Sequence, residues 1–289
     1  VSNEVVSLFK LTFIGHVSKD INKTSTETVV LPGGGVFYGS IAAQKLSVPS
    51  VVVTKISSKD LSLFKPIEDA GARLIVSLSA ETTTIENVYP SSNPDERKSR
   101  ILHRADPFDL DDLQWVQTKI VIVSALWHVE FPEKLLEHLR TRVETMAVDA
   151  QGFLRNVLED GTMSYSDWEF KHVYLPIIDI FKVDSNEAFV MTGERLLEKA
   201  CKRISNYGPK VVLATHKDGV VAYDGENFYE ASFSEYKLIG RTGRGDTCLA
   251  AFLAALLSGK NLKQAVELAA KVTSSKMQYA GPYRGGEVS

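Results

Sequence analysis

The sequence predicts an α/β protein: a doubly wound, mainly parallel sheet flanked by helices, with a small β-strand lid. Three observations carry this. Along most of the 289 residues, short apolar runs that suit buried strands alternate with stretches that suit helices, the rhythm of β-α-β units. Two polar stretches with alternating β-branched residues, 17–31 and 82–104, interrupt that rhythm and read as a separate exposed sheet. Near the end, Gly240–Leu257 passes from a glycine-punctuated turn into small and apolar residues long enough for a buried helix. Residues 1–289 read as a single such domain.

The elements follow in order. Leu8–Ile14 reads as a buried strand ending at Gly15-His16, and residues 17–30 as an exposed strand pair. Gly33-Gly34-Gly35 then runs into an amphipathic helix up to Leu46; three glycines let a ligand approach the backbone, or simply make a loose loop. Val51–Lys55 is a strand, Ser58–Ala70 a helix and Arg73–Ser77 a strand. Thr82–Tyr89 and Arg100–His103 are polar strands around a Ser/Asn/Pro/Asp turn, placed to pair with 17–30. Asp109–Gln114 is a short helix, Lys119–Val123 a strand, Pro132–Arg142 a helix, and Met146–Val148 a strand ending at Asp149. Helix Asp167–Ile177, strand Ile178–Val183 ending at Asp184, helix Glu194–Tyr207 and strand Lys210–Ala214 continue the alternation. Gly219–Tyr223 and Asn227–Ala231 form a hairpin around Asp224-Gly225. Leu262–Met277 is the last helix. Ligands of such sheets bind at the carboxyl ends of the strands, so Asp149, Asp184 and Thr215 share a rim with the Asp246 turn.

Composition narrows the function. With 33 basic against 36 acidic residues the net charge is −3, which points away from nucleic acid and from a polybasic membrane patch. Two cysteines, Cys201 and Cys248, fall in predicted helices and suit neither a disulfide framework nor a zinc site. The start has no signal-peptide pattern and no apolar run reaches membrane-spanning length. A soluble, cytoplasmic protein is expected.

The richest stretch is Gly240–Asp246. Gly243 and Gly245 permit a sharp turn whose amides meet a helix N-terminus, a favourable place for an anion. A carboxylate, Asp246, stands beside that cradle. As an N-cap it would be ordinary; as a base it would take a proton from a hydroxyl attacking a phosphoryl group in the cradle.

Three motifs in order then give a resemblance. Gly33-Gly34-Gly35 before a helix, Asp184-Ser-Asn-Glu187 running on to Thr192-Gly193, and Gly240–Asp246 before a small-residue helix resemble the signature of the ribokinase-like (pfkB) carbohydrate kinases. The likeness spans nearly the whole chain. It implies an ATP-dependent kinase with Mg²⁺ and a small polyol or sugar as acceptor. It implies Asp246 as general base, with Gly243, Arg244 and Gly245 supplying amides to the transferring group. By the same resemblance Glu187 and Asp184 orient water around Mg²⁺, where the bland alternative is a capped helix start. Thr215, His216, Gly219 and Thr242 are implied at the nucleotide, and the tail through Gly281 as its adenine wall; His216 is otherwise an ordinary loop histidine.

On the acceptor side, Asp20 matches the carboxylate that grips sugar hydroxyls, with Gly33, Gly34 and Gly35 admitting the polyol. Residues 17–31 and 82–104 would close as a lid that excludes water, and its exposed edge would serve a homodimer if the chain is not a monomer. His16–Asp20, Thr82-Thr-Thr-Ile-Glu86 and Val148–Phe153 resemble the branch with myo-inositol kinases, which makes Glu86, Asp149 and Gln151 candidate polyol contacts. Alternatively Asp149 caps a turn and Glu86 faces solvent. Ribose, ketogluconate and nucleosides remain open as acceptors.

Three positions depart from the family pattern: Gly240 for its usual Asp, Arg244 for Ala, and Asp184 for Asn. A monovalent-cation site is therefore expected to be lost, with Arg241 or Arg244 supplying charge. A degenerate kinase acting as a nucleotide or sugar sensor is the non-enzyme alternative. A Rossmann dehydrogenase is disfavoured, since no Gly-x-Gly-x-x-Gly follows the first strand.

Overall fold

The computed structural model describes residues 9–90, 97–234 and 239–286. The strands are β1 (Leu11–Ile14), β2 (Ser18–Lys23), β3 (Thr28–Gly33), β4 (Ser50–Ile56), β5 (Arg73–Leu78), β6 (Thr84–Val88), β7 (Lys98–His103), β8 (Thr118–Val123) and β9 (Val143–Asp149). They continue with β10 (Arg155–Val157), β11 (Met163–Tyr165), β12 (Ile180–Asp184), β13 (Val211–Thr215), β14 (Gly219–Tyr223) and β15 (Phe228–Ser232). Five described helices of eight residues or more matter here: α1 (Gly35–Lys45), α2 (Ser185–Thr192), α3 (Leu197–Ser205), α4 (Arg244–Leu257) and α5 (Leu262–Met277).

Nine strands make the large sheet, in the order β15-β14-β13-β12-β9-β8-β1-β4-β5. Its pairs are parallel from β13 to β5; only β14 and β15 enter by antiparallel pairing, through the hairpin that Asp224-Gly225 signals. Strand order reverses between β1 and β8, and the crevice at such a point is where parallel sheets take their ligands. Apolar residues cover both faces. One core joins Phe13, Val52 and Ile122 to α1, α4 and α5; the other joins Val121, Val148 and Phe181 to Leu135, Leu139 and α3. Helix α4 is buried along most of its length, from Thr247 to Ala255, which explains its run of alanine and leucine. This is the doubly wound architecture that the sequence predicts.

A second sheet, β3-β2-β6-β7, stands at the carboxyl end of the large one. It contains the two stretches predicted as a separate sheet, although part of the turn between β6 and β7 lies outside the described residues. β2 pairs with β3 antiparallel but with β6 parallel.

Other elements differ from expectation. The helix predicted over 58–70 is a 3₁₀ turn, Ser58–Phe64, followed by a short helix from Lys65. Pro66 lacks the N–H that a continuous helix needs. The helix predicted over 167–177 shrinks to Lys171–Tyr174 plus a 3₁₀ turn at Leu175–Ile177, again at a proline, Pro176. The first strand begins at Leu11, and its predicted start at Leu8 lies outside the described residues. The β10–β11 hairpin had no expectation attached. Its three-residue strands are too short to show a periodicity.

Candidate active site

A cleft of about 730 Å³ runs from the small sheet, across the carboxyl ends of the large sheet, to the turn before α4. Strand alternation decides which side chains of the small sheet reach it. On β2, Ser18, Asp20 and Asn22 line the cleft; on β6, Ile85 and Asn87 do, followed by Tyr89; Ser99 of β7 and Arg97 complete that wall. Asp20 is 8% exposed and accepts a hydrogen bond from Ser18 Oγ at 2.6 Å; burial holds its carboxyl above the usual aspartate range. A Cβ on Gly33 would lie 2.5 Å from Asp20 Oδ2, so Gly33 lets β3 pass beside that acid rather than lining the cleft. Asn87 Nδ2 donates to Asn22 Oδ1 at 3.0 Å, and Ser99 Oγ donates to Asn87 Oδ1 at 2.6 Å. Those three strands thus present one connected polar ladder to an acceptor.

Glu86, a predicted polyol contact, falls on the opposite face. Its carboxylate is taken by Lys23 and by Arg100 Nε at 2.7 Å, and these bonds hold it below its ordinary range. Period-two alternation puts it there once Asn87 faces inward. Gln151 lines the cleft, but its amide is engaged on both sides, accepting from Arg155 at 2.7 Å and donating to the Ala125 carbonyl at 3.4 Å. Asp149 is buried behind the cleft, where it accepts from the Gln151 N–H at 3.1 Å and from Lys182.

Lys182 is the residue that sequence reading missed. Its ammonium lies 3.0 Å from Asp149 Oδ2 and 3.7 Å from Glu187 Oε2 while lining the cleft floor. A Cβ on Gly245 would come within 2.8 Å of its Nζ. The surrounding carboxylates, Asp149 first, outweigh burial and hold Lys182 protonated far above its ordinary range. The available signal was a lysine inside the apolar strand Ile180–Asp184, where an unpaired charge would be very costly.

Asp246 stands in the first turn of α4. It opens to the cleft on one side and is enclosed by protein on the others. Burial, then the charge of Asp149, raise its carboxyl to about 6, against the pull of Lys182. Gly35 makes room for it: a Cβ there would lie 2.6 Å from Asp246 Oδ1. The turn itself depends on Gly243, the N-cap, at φ 80. A Cβ on Gly243 would overlap the Tyr38 ring at 2.2 Å. Arg244 N–H donates back to the Arg241 carbonyl at 3.1 Å, so one of the three amides expected in the cradle already has a partner within the turn. Its geometry remains that of a helix N-terminus, with a 14-residue dipole behind it. Arg241, Thr242 and Arg244 line the same mouth. Opposite them Lys276 of α5 donates to the Gly240 carbonyl at 3.0 Å and lies 5.6 Å from the Tyr38 ring centre; burial lowers its ammonium to about 8.

Asp184 and Glu187 cap α2 reciprocally: Asp184 Oδ1 accepts the Glu187 N–H at 2.8 Å, and Glu187 Oε2 accepts the Asp184 N–H at 2.7 Å. Burial raises Glu187 to about 7 although Lys182 opposes it. Each acid keeps one oxygen outside the cap, and both line the cleft. Among the described residues no cluster of three or more ligating side chains forms. That donor set suits a hard cation held through water and donor oxygens rather than a full protein cage. Thr215, Ala280 and Gly281 line the far end. His216 and Gly219 do not: His216 Nδ1 accepts from the Asp218 N–H at 3.3 Å, and Gly219 begins β14.

The fold and this cleft define a phosphoryl-transferring enzyme of ribokinase-like fold. The model of the pfkB carbohydrate kinase family matches residues 65–287, and the chain belongs to that family. It is a sugar or polyol kinase. Among solved structures, a pyrophosphate-dependent kinase in the ribokinase family is 45% identical, with 95% of this chain and 97% of that one covered at a TM-score of 0.90. A second, 43% identical with 95% of each chain covered and a TM-score of 0.87, is a pyrophosphate-dependent myo-inositol-1 kinase converted into a myo-inositol-3 kinase by replacing one asparagine and one serine with leucine. Among curated proteins, an ATP-dependent 6-phosphofructokinase of Thermoanaerobacterium thermosaccharolyticum is 23% identical over 266 residues, covering 86% of this chain and 80% of its own length.

Proposed function

We propose that this chain transfers a phosphoryl group from inorganic pyrophosphate to one hydroxyl of myo-inositol or a closely related cyclitol. The observation that carries the reading is a single cleft with a polar ladder at one end, an anion cradle ringed by Arg241, Arg244 and Lys276 at the other, and Asp246 between them. The acceptor oxygen attacks the terminal phosphorus, the bond to the bridging oxygen breaks, phosphate leaves, and Asp246 takes the hydroxyl proton. Arg241, Arg244 and Lys276 hold a donor that is charged at both ends. Asp184 and Glu187 would hold Mg²⁺ through water, and the chemistry such an ion would supply is neutralisation of charge on the donor. The small sheet acts as the lid that keeps water, the competing acceptor, away.

The donor reading departs from the ATP expected on the family resemblance, and its support is the likeness at 43–45% identity to pyrophosphate-dependent kinases. Asn87 and Ser99, hydrogen-bonded on neighbouring strands, are our counterparts for the asparagine and serine that choose the hydroxyl in the myo-inositol relative.

The test is phosphate transfer followed by ³¹P NMR with pyrophosphate or ATP against a panel of polyols, myo-inositol first, with Asp246→Asn alongside. Transfer from pyrophosphate to myo-inositol, lost by at least ~10² in the variant, supports the reading. Transfer from ATP alone overturns the donor. Donor binding with no transfer to any acceptor favours a sensor.

A further inference from the structure

Phosphoryl transfer as described leaves one fully enclosed acid without a role. Glu130 is 0% exposed and outside the cleft lining. Its Oε1 accepts the His16 N–H and its Oε2 the Leu126 N–H, both at 2.7 Å, and the Trp127 N–H also reaches it. Its own carbonyl accepts the Phe108 N–H at 2.9 Å. His16 is equally enclosed. Its Nε2 lies 3.1 Å from the Asp106 carbonyl and so carries the hydrogen, leaving Nδ1 to accept from Thr83 Oγ1 at 3.0 Å. Thr83 Oγ1 in turn accepts the Ala105 N–H at 3.2 Å. The imidazole packs on Phe108 and Trp127, with ring centres 5.1 Å from each.

These partners are far apart in sequence but share one place in the fold. Residues 16, 83 and 105–106 are three of the four points where the chain crosses between the large and the small sheet. At the fourth, Gly34, a Cβ would lie 2.7 Å from the His16 carbonyl oxygen, so that crossing rests on the same residue. Leu126 lines the acceptor end of the cleft, and with Trp127 it packs on Ile85 and Ile101 of the small sheet. Apolar packing alone would fill this volume but would leave the angle between sheets adjustable. Directional bonds to backbone N–H groups remove that freedom, because any rotation would strand a buried carboxyl group.

We propose, resting on the kinase reading of the cleft, that His16 and Glu130 form a brace fixing the small sheet over the acceptor site. They are positioning residues: they touch no substrate, and they set the gap through which water would otherwise reach the donor.

The experiment compares Thr83→Val and Glu130→Gln with Leu136→Ala, a cavity variant inside the core of the large sheet. Each is scored for melting temperature, acceptor KM, kcat, and donor hydrolysis without acceptor relative to transfer. Thr83→Val removes both bonds of that hydroxyl, to His16 and from Ala105, and keeps the volume, so it is informative even where Glu130→Gln does not fold. In the brace variants, acceptor KM and the hydrolysis-to-transfer ratio rise by about fivefold or more, the factor one lost buried hydrogen bond is worth. kcat at saturating acceptor stays within about twofold. Leu136→Ala lowers the melting temperature and moves neither readout. Brace variants that lose only thermal stability, or a Leu136→Ala that moves the ratio as far, overturn the proposal. A wild-type chain with no transfer at all overturns the cleft reading and the brace with it, whereas wild-type turnover with unmoved ratios overturns the brace alone.

Discussion

Adding one methyl group at Gly243 puts the whole donor cradle at stake. In Gly243→Ala the new Cβ would lie 2.2, 2.3 and 2.8 Å from Cγ, Cδ1 and Cδ2 of Tyr38, the first two more than an ångström inside ordinary contact. Two costs add. A left-handed backbone at φ 80 disfavours alanine by about 1 kcal/mol, and overpacking of this kind costs about 1–3 kcal/mol. The expected loss of stability is therefore about 2–4 kcal/mol, read as a fall in melting temperature of about 3–7 °C for a chain of 289 residues. The ring cannot easily yield, since Tyr38 is buried, with Phe37 packed edge-on at 5.2 Å and Lys276 over its ring. The turn must move instead, carrying the amides of Gly243 and Gly245 with it. A displacement near 1 Å predicts a loss of about 10² in kcat. Steady-state kinetics with varied donor, beside a thermal melt, measure both. Combining it with Tyr38→Ala removes the overlap but not the backbone penalty, so the pair should be markedly less damaging than the sum. A Gly243→Ala protein with kcat within about twofold of wild type and an unchanged melt would show that the ring does not seat the cradle.

Three further expectations follow from the same geometry. Since Asp246 acts only when ionised, kcat/KM should fall as pH drops through about 6, the value that burial and Asp149 set for it. Stability runs the other way: the fold favours the protonated acid, a contribution present below the ordinary aspartate range and lost as pH rises through about 6. A pH–rate profile flat down to about 4.5 would contradict this assignment. Lys182→Met should cost about 3–5 kcal/mol in denaturant unfolding, because it leaves Asp149 and Glu187 buried without their cation; a loss under about 1 kcal/mol would mean the acids have other partners. Glu86→Gln should leave acceptor KM within about twofold, since Lys23 and Arg100 hold that carboxylate on the outer face, and a tenfold rise would return it to the acceptor site.

Local chemistry made much of the fold readable. β12 and β13 announce themselves as apolar runs with a polar residue at the exit, and Gly243-Arg-Gly-Asp246 announces a helix N-terminus. What escaped depended on distance or on phase. Glu86 and Asn87 are adjacent, so a reading off by one residue exchanges the cleft face for the outer face. Lys182 gains its meaning only from Asp149, brought beside it by the parallel pairing of β9 with β12. The Arg244 amide was expected in the cradle by motif, yet the turn closes on Arg241 and uses it internally. His16 and Glu130 are 114 residues apart, and nothing local in either segment marks them as partners.

The parallel pairing of β2 with β6 also has a consequence for how the molecule comes to exist. Asp20 and Ile85 are register partners, and the chain between them must first build α1, β4 and β5, two of which are strands of the other sheet. Closing so long a loop is entropically expensive until its ends are held near one another, so the small sheet can zip only after the large one has formed. During refolding, strand and helix content should return ahead of acceptor binding. The indole of Trp127, lodged where the two sheets meet, should reach its native emission later than that of Trp168, which lies deep in the large core. A nascent chain meets the same order of events, and with cleft residues running from Ser18 to Gly281 it has no working site until synthesis has passed Gly281.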